Sequence, residues 1–491
     1  MMFDFTNTIR AQIAHKEILC DNLTPLNVLD QLGAKVLLES AYNETGKDRY
    51  SILILNEAFR IYKENSGYYL VCAGEKKALQ EVLAGLGEAQ KNEQLDFLSC
   101  LAYFREFAPK VENLPQGLPL PLGGAGYLGY EFFSEIEDIT FKNPALYDAP
   151  ECAFIFGRDF LIFDHLFDRL HIVSVSYEYE KEEVNVQEKV EKISLALDLI
   201  HISKTQMPTN TESHITSAAK QETYEKMVLT IQDEIYKGNL LQCVPSQSMQ
   251  VASNLTPLQA YRNLRHQNPS PYMFYYDFDD FIILGASPEI MVRLKSVNDK
   301  SIFTIRPIAG TSPRGANVAQ DLELEQKLLA DPKENAEHLM LVDLARNDAG
   351  KVSVGGGVRV VAQNQIERYS RVMHIVSEVQ GELDTKRFKK RDVLKAVFPA
   401  GTLSGAPKIQ AIKTIESLES HKRGIYGGAI GYFNRDEDMD FAITIRTSVY
   451  QNGVYYLQSG GGIVYDSIPH TEFIETQNKV RSMLDMLGIK E

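Results

Sequence analysis

The 491 residues read as an α+β protein in which large antiparallel sheets pack against helices. Three observations carry this reading. Short runs of β-branched, aromatic and aliphatic residues recur through both halves of the chain, and Asn452-Gly453 is a strong hairpin turn between the last two. Helical periods lie between these runs without a regular strand–helix alternation. No GxGxxG follows a strand, so a dinucleotide fold is not indicated.

Composition bounds the function classes. Hydrophobic residues make up 44% and charged residues 24%, as in an ordinary soluble globular protein. The net charge of -15 argues against a nucleic-acid binder. A small anionic substrate stays open, because a local Arg, Lys or Mg²⁺ outweighs the average field. Cys20, Cys72, Cys100, Cys152 and Cys243 form no CxxC pair, which fits reduced thiols and argues against a cysteine zinc site. The N-terminus has no apolar signal core, and no apolar run approaches the ~20 residues of a membrane helix. A cytoplasmic protein with no membrane association is expected.

Length alone allows two or more domains. Residues 1–205 read as a first unit. Lys35–Leu38 is a short strand ending in Glu39-Ser40; Ser51–Leu55, Phe59–Tyr62 and Tyr68–Cys72 form a meander turning at Ser66-Gly67. Lys76–Leu86 and Leu95–Phe107 are helical, and residues 114–130, rich in Pro and Gly, are a loop or an irregular strand. Ala153–Phe163 and Arg169–Val175 form a hairpin, and Val184–Ile200 is a helix. Residues 206–221 are polar and read as a linker.

Residues 222–491 read as the catalytic domain. Tyr224–Tyr236 is a helix stopped by Gly238; Leu240–Val251 is a strand carrying Gln242; Pro257–Arg265 is a helix. Asn268–Phe274 turns into a strand, Phe281–Leu294 contains Glu289, and Phe303–Ile308 runs into Ala309-Gly310-Thr311. Asp321–Leu329 and Lys333–Arg346 are helices, and His374 lies in a β-branched stretch. Residues 400–407 lead into the helix Lys408–Leu418. Tyr426–Tyr432, Phe441–Tyr450 and Val454–Gln458 are antiparallel strands, and His470–Leu487 is the closing helix.

Two helices carry the chemistry. DPKENAEHLMLVDLARND (Asp331–Asp348) is apolar on most sides and reads as a buried helix, with Glu334 and Glu337 at its start. These carboxylates either serve a bound group or simply favour the positive end of the helix dipole. In the closing helix Glu472 and Glu475 share a face, with Lys479 one turn beyond. Upstream, Gly460, Gly461 and Gly462 let backbone amides approach an anion closely. Mg²⁺ is commonly held by one or two carboxylates plus an anionic substrate, which suits this set. Arg446, among small residues of an alternating strand, reads as a carboxylate binder in a pocket or as a sheet-edge residue. Thr402–Pro407 is an anion-binding helix entry capped by Ser404, or an ordinary cap. His374 is a general acid or base, or a satisfied core histidine. Glu289 and Thr311 follow turns, where ligand groups and plain turn chemistry both concentrate. GxSxG, HExxH, the P-loop and the glutaminase elbow GxCxG are absent from the sequence. The residues alone point to a Mg²⁺-dependent enzyme acting on a small carboxylate.

PIAGT (Pro307–Thr311), EHLMLVDLARND (Glu337–Asp348), GTLSGAPK (Gly401–Lys408), YGGAIGY (Tyr426–Tyr432), IRT (Ile445–Thr447) and E-x-x-E-T (Glu472–Thr476) together resemble the chorismate-utilising enzymes. Within that family the chain is similar to the anthranilate-forming large subunits, whose fold is a layered α/β sandwich. LLES (Leu37–Ser40) is similar to their tryptophan-inhibition element. The resemblance implies a lyase of tryptophan biosynthesis that makes anthranilate and pyruvate from chorismate and ammonia. It implies Glu337 and Glu475 as Mg²⁺ ligands with Glu334 and Glu472 in support. Arg446, Tyr426, Gly460–Gly462 and Lys479 would grip substrate, and Thr402, Glu289 and Thr311 would line the reacting ring. His374 would assist departure of the ring hydroxyl. Glu39, Ser40, Asn268, Pro271, Tyr272 and Met273 would bind inhibitory tryptophan. Gln242 stands where isochorismate-forming relatives carry a water-activating lysine, and Ala309 where aminodeoxychorismate-forming relatives carry a lysine. Ser312 departs from the arginine frequent in the family. With no glutaminase signature in the sequence, a separate glutamine amidotransferase subunit and a heterotetramer are implied. The alternatives are aminodeoxychorismate synthase component I and a non-catalytic tryptophan-binding regulatory subunit.

Overall fold

The computed structural model describes residues 2–5, 9–40, 49–65, 67–83, 96–112, 114–201, 211–369 and 372–490. Among them, 21 strands join into one antiparallel network with two branches. One branch runs through Ile13–Leu19, Arg169–Val175, Cys152–Asp164, Tyr50–Glu64, Val36–Glu39, Tyr272–Asp277, Ile282–Ser287, Thr447–Gln451, Val454–Gly460, Ser246–Ser253 and Ser213–Ala218. The other leaves Cys152–Asp164 by Ala125–Leu128 and continues through Ala429–Phe433, Met439–Ile443, Ile290–Val297 and Lys300–Ile305 to Val372–Glu382. That last strand also pairs with Ile308–Pro313 and Arg359–Arg368.

The main core draws on both branches: Phe154, Phe274, Val292, Phe303, Phe433 and Phe441 all belong to it. Each buried aromatic of this kind stabilises by about 1.5–3 kcal/mol. A second core packs the other face of the first branch under the helices Pro25–Leu32, Val186–Asp198, Pro257–Gln267 and Pro469–Met486. Strand alternation divides residues between the two: Val36 and Tyr276 face the first core, Leu37 and Tyr275 the second. Helix ends follow local chemistry. Thr256 and Gln259 form a capping box, and Asp331 accepts from the amides of Lys333 and Glu334. Asn452 and Gly453 both take positive φ, as the hairpin turn demands.

Several expectations are corrected. Ser51–Leu55 and Phe59–Tyr62 are one strand, Tyr50–Glu64, whose register shifts around Asn56 and Glu57 against Cys152–Asp164. A bulge, not a turn, interrupts the pattern. Lys76–Leu86 begins as the strand Glu75–Ala78 and continues as the helix Leu79–Leu83; residues 84–86 lie outside the described residues. Of the expected linker, 206–210 lie outside the described residues, while Ser213–Ala218 is a strand on Ser246–Ser253 and Gln221 opens a helix. The units drawn at 1–205 and 222–491 share their sheets: Val36–Glu39 pairs with Tyr272–Asp277, and Ala125–Leu128 with Ala429–Phe433. The helix Pro332–Gly350 is buried on one face only, and Leu339 is 53% exposed.

Phe281–Leu294 is two strands, Ile282–Ser287 and Ile290–Val297, and they belong to different branches. Phe441–Tyr450 likewise splits into Met439–Ile443 and Thr447–Gln451. Glu289 and Arg446 sit at these two crossovers, where bent strands change sheet. Arg446 is therefore not in mid-strand: its φ is +49°, in the left-handed region. The crossovers are stitched together, with Ile443 N donating to Glu289 O at 2.9 Å and Ala286 N to Arg446 O at 3.1 Å.

Candidate active site

A crossover leaves side chains that belong to neither sheet face, and Glu289 and Arg446 are such side chains. Burial pushes the Glu289 carboxyl up to about 7; the Thr402 hydroxyl, Lys479 and Arg446 hold it down. Thr402, in the turn Gly401–Leu403, donates to Glu289 Oε1 at 2.9 Å. Burial lowers the Arg446 guanidinium below its ordinary value, and Tyr369 and Glu289 are the groups that oppose this. Arg446 makes no ion pair among the described residues. A half-buried guanidinium without an ion-pair partner is poised for an anionic ligand.

His374 lies in the strand Val372–Glu382 directly opposite Thr311. Its Nδ1 is 3.0 Å from Gly310 O and 3.1 Å from Thr311 Oγ1, and Tyr369 packs edge-on at 5.5 Å. Nδ1–H donating to the Gly310 carbonyl fixes the tautomer and leaves Nε2 as the working nitrogen. Burial first, then Arg446 and Lys479, push the imidazole down to about 4, so it is neutral near pH 7. Arg446 thus acts electrostatically on both Glu289 and His374.

The carboxylate helices meet across the glycine run. Glu337 is raised above the ordinary carboxylate range by burial, then by Glu334 and Glu475, with Lys479 and Lys333 opposing. Glu334 is raised by burial, Asp331 and Glu475, and Glu472 by burial and Glu475. Lys479 pairs with Glu475 at 2.7 Å and donates to Gly460 O at 3.0 Å. Gln242 Nε2 lies 3.4 Å from Glu337 Oε1.

The space around these glycines is crowded. A Cβ on Gly460 would stand 2.6 Å from Pro245 O; on Gly461, 3.2 Å from the Tyr224 hydroxyl and 3.4 Å from Glu472 Oε2; on Gly462, 2.7 Å from Gln242 Nε2 and 3.8 Å from Glu337 Oε1. The amides of Gly460 and Gly461 are engaged by the Tyr426 hydroxyl and the Pro245 carbonyl. At Gly460 crowding against the Pro245 backbone, rather than a free amide, requires glycine. The expected Ser404 cap is also corrected: Ser404 donates to Ala400 O at 2.9 Å, and the helix Lys408–Leu418 starts at Pro407 with no side-chain cap.

The donor set fits a hard divalent cation. Burial first, then repulsion from neighbouring carboxylates, raises Glu334, Glu337 and Glu472 on the two helices above their ordinary range. Among the described residues no three His, Cys, Asp or Glu side chains stand close enough to hold an ion by themselves. Mg²⁺ needs only one or two carboxylates when water and an anionic ligand complete its shell.

The expected inhibitor residues are brought only partly together. Glu39 pairs with Met273 across the strands and is buried against the helix Pro257–Gln267. Its Oε1 accepts from Tyr261 at 2.9 Å and from Arg265 at 2.8 Å. Asn268 Nδ2 is buried without a hydrogen-bond partner on the same side, and Ser40 is buried beside Glu39. Pro271 stands between Ser270 and Tyr272, half-buried. Tyr272 is separated from the rest. It packs on the first core and bonds Asp440 at 2.8 Å, while Met273 faces the second.

Sequence reading passed over Tyr369 and the buried cluster Glu131–Glu419–Arg423. His-Lys-Arg at 421–423 has the look of a solvated basic run; only the fold buries its third member.

The chorismate binding enzyme family matches residues 66–485. Anthranilate synthase component 1 of Spirochaeta aurantia is 40% identical over 503 aligned residues, covering 100% of both chains. That of Pseudomonas aeruginosa is 39% identical over 490, covering 97% of this chain and 95% of its own. The crystal structure of anthranilate synthase component I from Streptococcus pneumoniae TIGR4 matches with a TM-score of 0.76 at 34% identity, covering 95% of this chain and 98% of that one.

Proposed function

The chain belongs to the chorismate-binding enzyme family, in the company of anthranilate synthase component 1 proteins, and we propose that it converts chorismate and ammonia to anthranilate, pyruvate and water in tryptophan biosynthesis. The observation that carries this is Arg446: a half-buried guanidinium at a sheet crossover, without an ion-pair partner among the described residues, acting electrostatically on both Glu289 and His374. A dicarboxylate substrate supplies the missing counter-charge.

Arg446 fixes one substrate carboxylate and Tyr426 and the Gly460–Gly462 rim border the other. Glu337 and Glu475, with Glu334 and Glu472 beside them, would hold Mg²⁺, which would supply Lewis-acid polarisation of a substrate carboxylate. Ammonia forms a bond to a ring carbon as the ring C–O bond to the hydroxyl breaks. The hydroxyl leaves as water. His374, neutral in the free protein, gains a proton as the substrate's negative charge enters beside it, and returns that proton from Nε2 to the departing oxygen. Glu289, poised near neutrality beside Thr402, takes a proton from the incoming amine. The carbon that bears the amine then loses its ring proton as the ring C–O bond to the enolpyruvyl group breaks; the enolpyruvyl methylene takes up a proton to leave as pyruvate, and aromatisation drives the step. Gln242 cannot serve as a base for water, and Ala309 offers no nucleophile; both favour this product over the sibling reactions.

Ammonia comes from a glutamine amidotransferase subunit, in a heterotetramer with two of each chain. Tryptophan inhibits from the buried face that Glu39, Ser40, Asn268 and Met273 share. Among the described residues no helix is long and apolar enough to cross a membrane.

Purified protein incubated with chorismate, Mg²⁺ and ammonium at alkaline pH should make fluorescent anthranilate, lost with EDTA and reduced by tryptophan. A non-aromatic aminated product would move the chain to the aminodeoxychorismate branch, and no turnover of chorismate would refute the proposal.

A further inference from the structure

Arg423 is 2% exposed, and burying a guanidinium is costly unless every donor is matched. Here each nitrogen is matched. Nε donates to Glu419 Oε1 and Oε2 at 3.2 and 3.1 Å; Nη2 donates to Glu419 Oε1 and to Val244 O, both at 2.6 Å. Nη1 donates to Leu403 O at 2.6 Å. The guanidinium also lies 4.6 Å from the Tyr130 ring and 5.7 Å from the Tyr426 ring.

Its partners are the backbones of segments that form the site. Leu403 follows Thr402, whose hydroxyl bonds Glu289. Val244 follows the Gln242–Cys243 strand, and Val244 N donates to Ser404 O at 3.0 Å. Glu419 Oε1 further accepts from the amide and hydroxyl of Ser246, both at 2.8 Å, and Ser246 is the register partner of Gly460. From the N-terminal half, the buried Glu131 accepts from the amides of Arg423 and Gly424 at 2.8 and 3.0 Å.

We infer that Arg423 is a positioning residue for the reaction: its guanidinium holds the Thr402 turn, the Val244 segment and Tyr426 in one frame, and so sets the Thr402–Glu289 contact. The inference rests on the proposed place of Thr402 and Glu289 in the reacting site. Only a planar fork with several fixed donors serves these acceptors at once. A lysine keeps the charge but offers three donors from a single atom.

The test is a double-mutant cycle on the full chain, with ammonia, chorismate and Mg²⁺, on variants shown by thermal melting to be folded. R423K should lower kcat about tenfold while KM for chorismate stays within about threefold. In a T402V background the same change should cost less than about twofold, because the contact it sets is gone. Equal losses in both backgrounds overturn the inference and leave the proposed function standing. Full activity of T402V removes Thr402 from the reacting site and overturns the inference, while the proposed function stands. If R423K does not fold, Glu131→Gln leaves the Arg423–Glu419 pair intact and loosens only the backbone of Arg423 and Gly424. It should give a smaller loss, about threefold, that disappears in the T402V background. A loss equal in both backgrounds again overturns the inference.

Discussion

Replacing Thr402 by valine removes the hydroxyl bonded to the Glu289 carboxylate at 2.9 Å and keeps the side-chain volume. That hydroxyl stabilises the ionised form of a group that burial has already pushed up to about 7. A hydrogen bond to a buried charge contributes about 1.5–3 kcal/mol, and a pKa moves one unit for about 1.36 kcal/mol. The carboxyl should therefore rise by about 1–2 units. Arg446 and Lys479 still act on it, which favours the lower end. If ionised Glu289 is the base, the variant needs more alkaline solution for the same fraction of active enzyme. Initial rates of ammonia-dependent chorismate consumption, taken from pH 6 to 10, should show a wild-type/variant ratio that is largest near neutrality and falls above pH 8. Protonation of ammonia cancels in that ratio. A ratio that does not change with pH would refute the assignment of Glu289 as the titrating group.

The same shift has a sign in stability. Glu289 titrates near 7 when folded against 4.5 as its ordinary value, so its contribution is full below about pH 4.5 and is lost as pH rises through 7. Denaturant melts of Glu289→Gln should lack a fall of roughly 3 kcal/mol between those limits. Glu337→Gln relieves crowding with Glu334 and Glu475, so it should melt no lower than wild type while losing Mg²⁺-dependent turnover; retained activity with the same Mg²⁺ dependence counts against the metal assignment. Glu39→Ala strands Arg265 and the buried Tyr261 hydroxyl, and chemical denaturation should register a loss of about 3–5 kcal/mol. The chain contains no tryptophan, so bound L-tryptophan is directly visible by its own emission. Asn268→Ala should weaken that binding, while Tyr272→Phe, altered on the opposite sheet face, should leave it unchanged.

Much of this molecule is legible in its sequence because the signals are local. The helix Lys408–Leu418 has the expected ends, the helices around Glu337 and Glu475 lie within a few residues of expectation, and the Asn452-Gly453 hairpin forms as its residues dictate. Capping, periodicity and turn chemistry act over a few residues and need no knowledge of the rest of the chain. The inhibitor set shows where such reasoning stops. Asn268–Met273 is contiguous, yet alternation sends Tyr272 and Met273 to different cores, and Glu39 meets Met273 only through a strand pairing across more than two hundred residues.

The sequence by itself determined the class of the fold and the order of most elements, and it supplied the residue types from which binding of a small carboxylate and a hard cation is proposed. Tertiary structure decided that the strands around Glu289 and Arg446 break and change sheets, that two apparent units share one network, and that Arg423 is buried rather than solvated. The physical reason is range. A crossover between sheets and the burial of a charge depend on partners supplied by distant segments, Glu131 and Val244 for Arg423 among them, and no window along the chain contains both sides of such a contact.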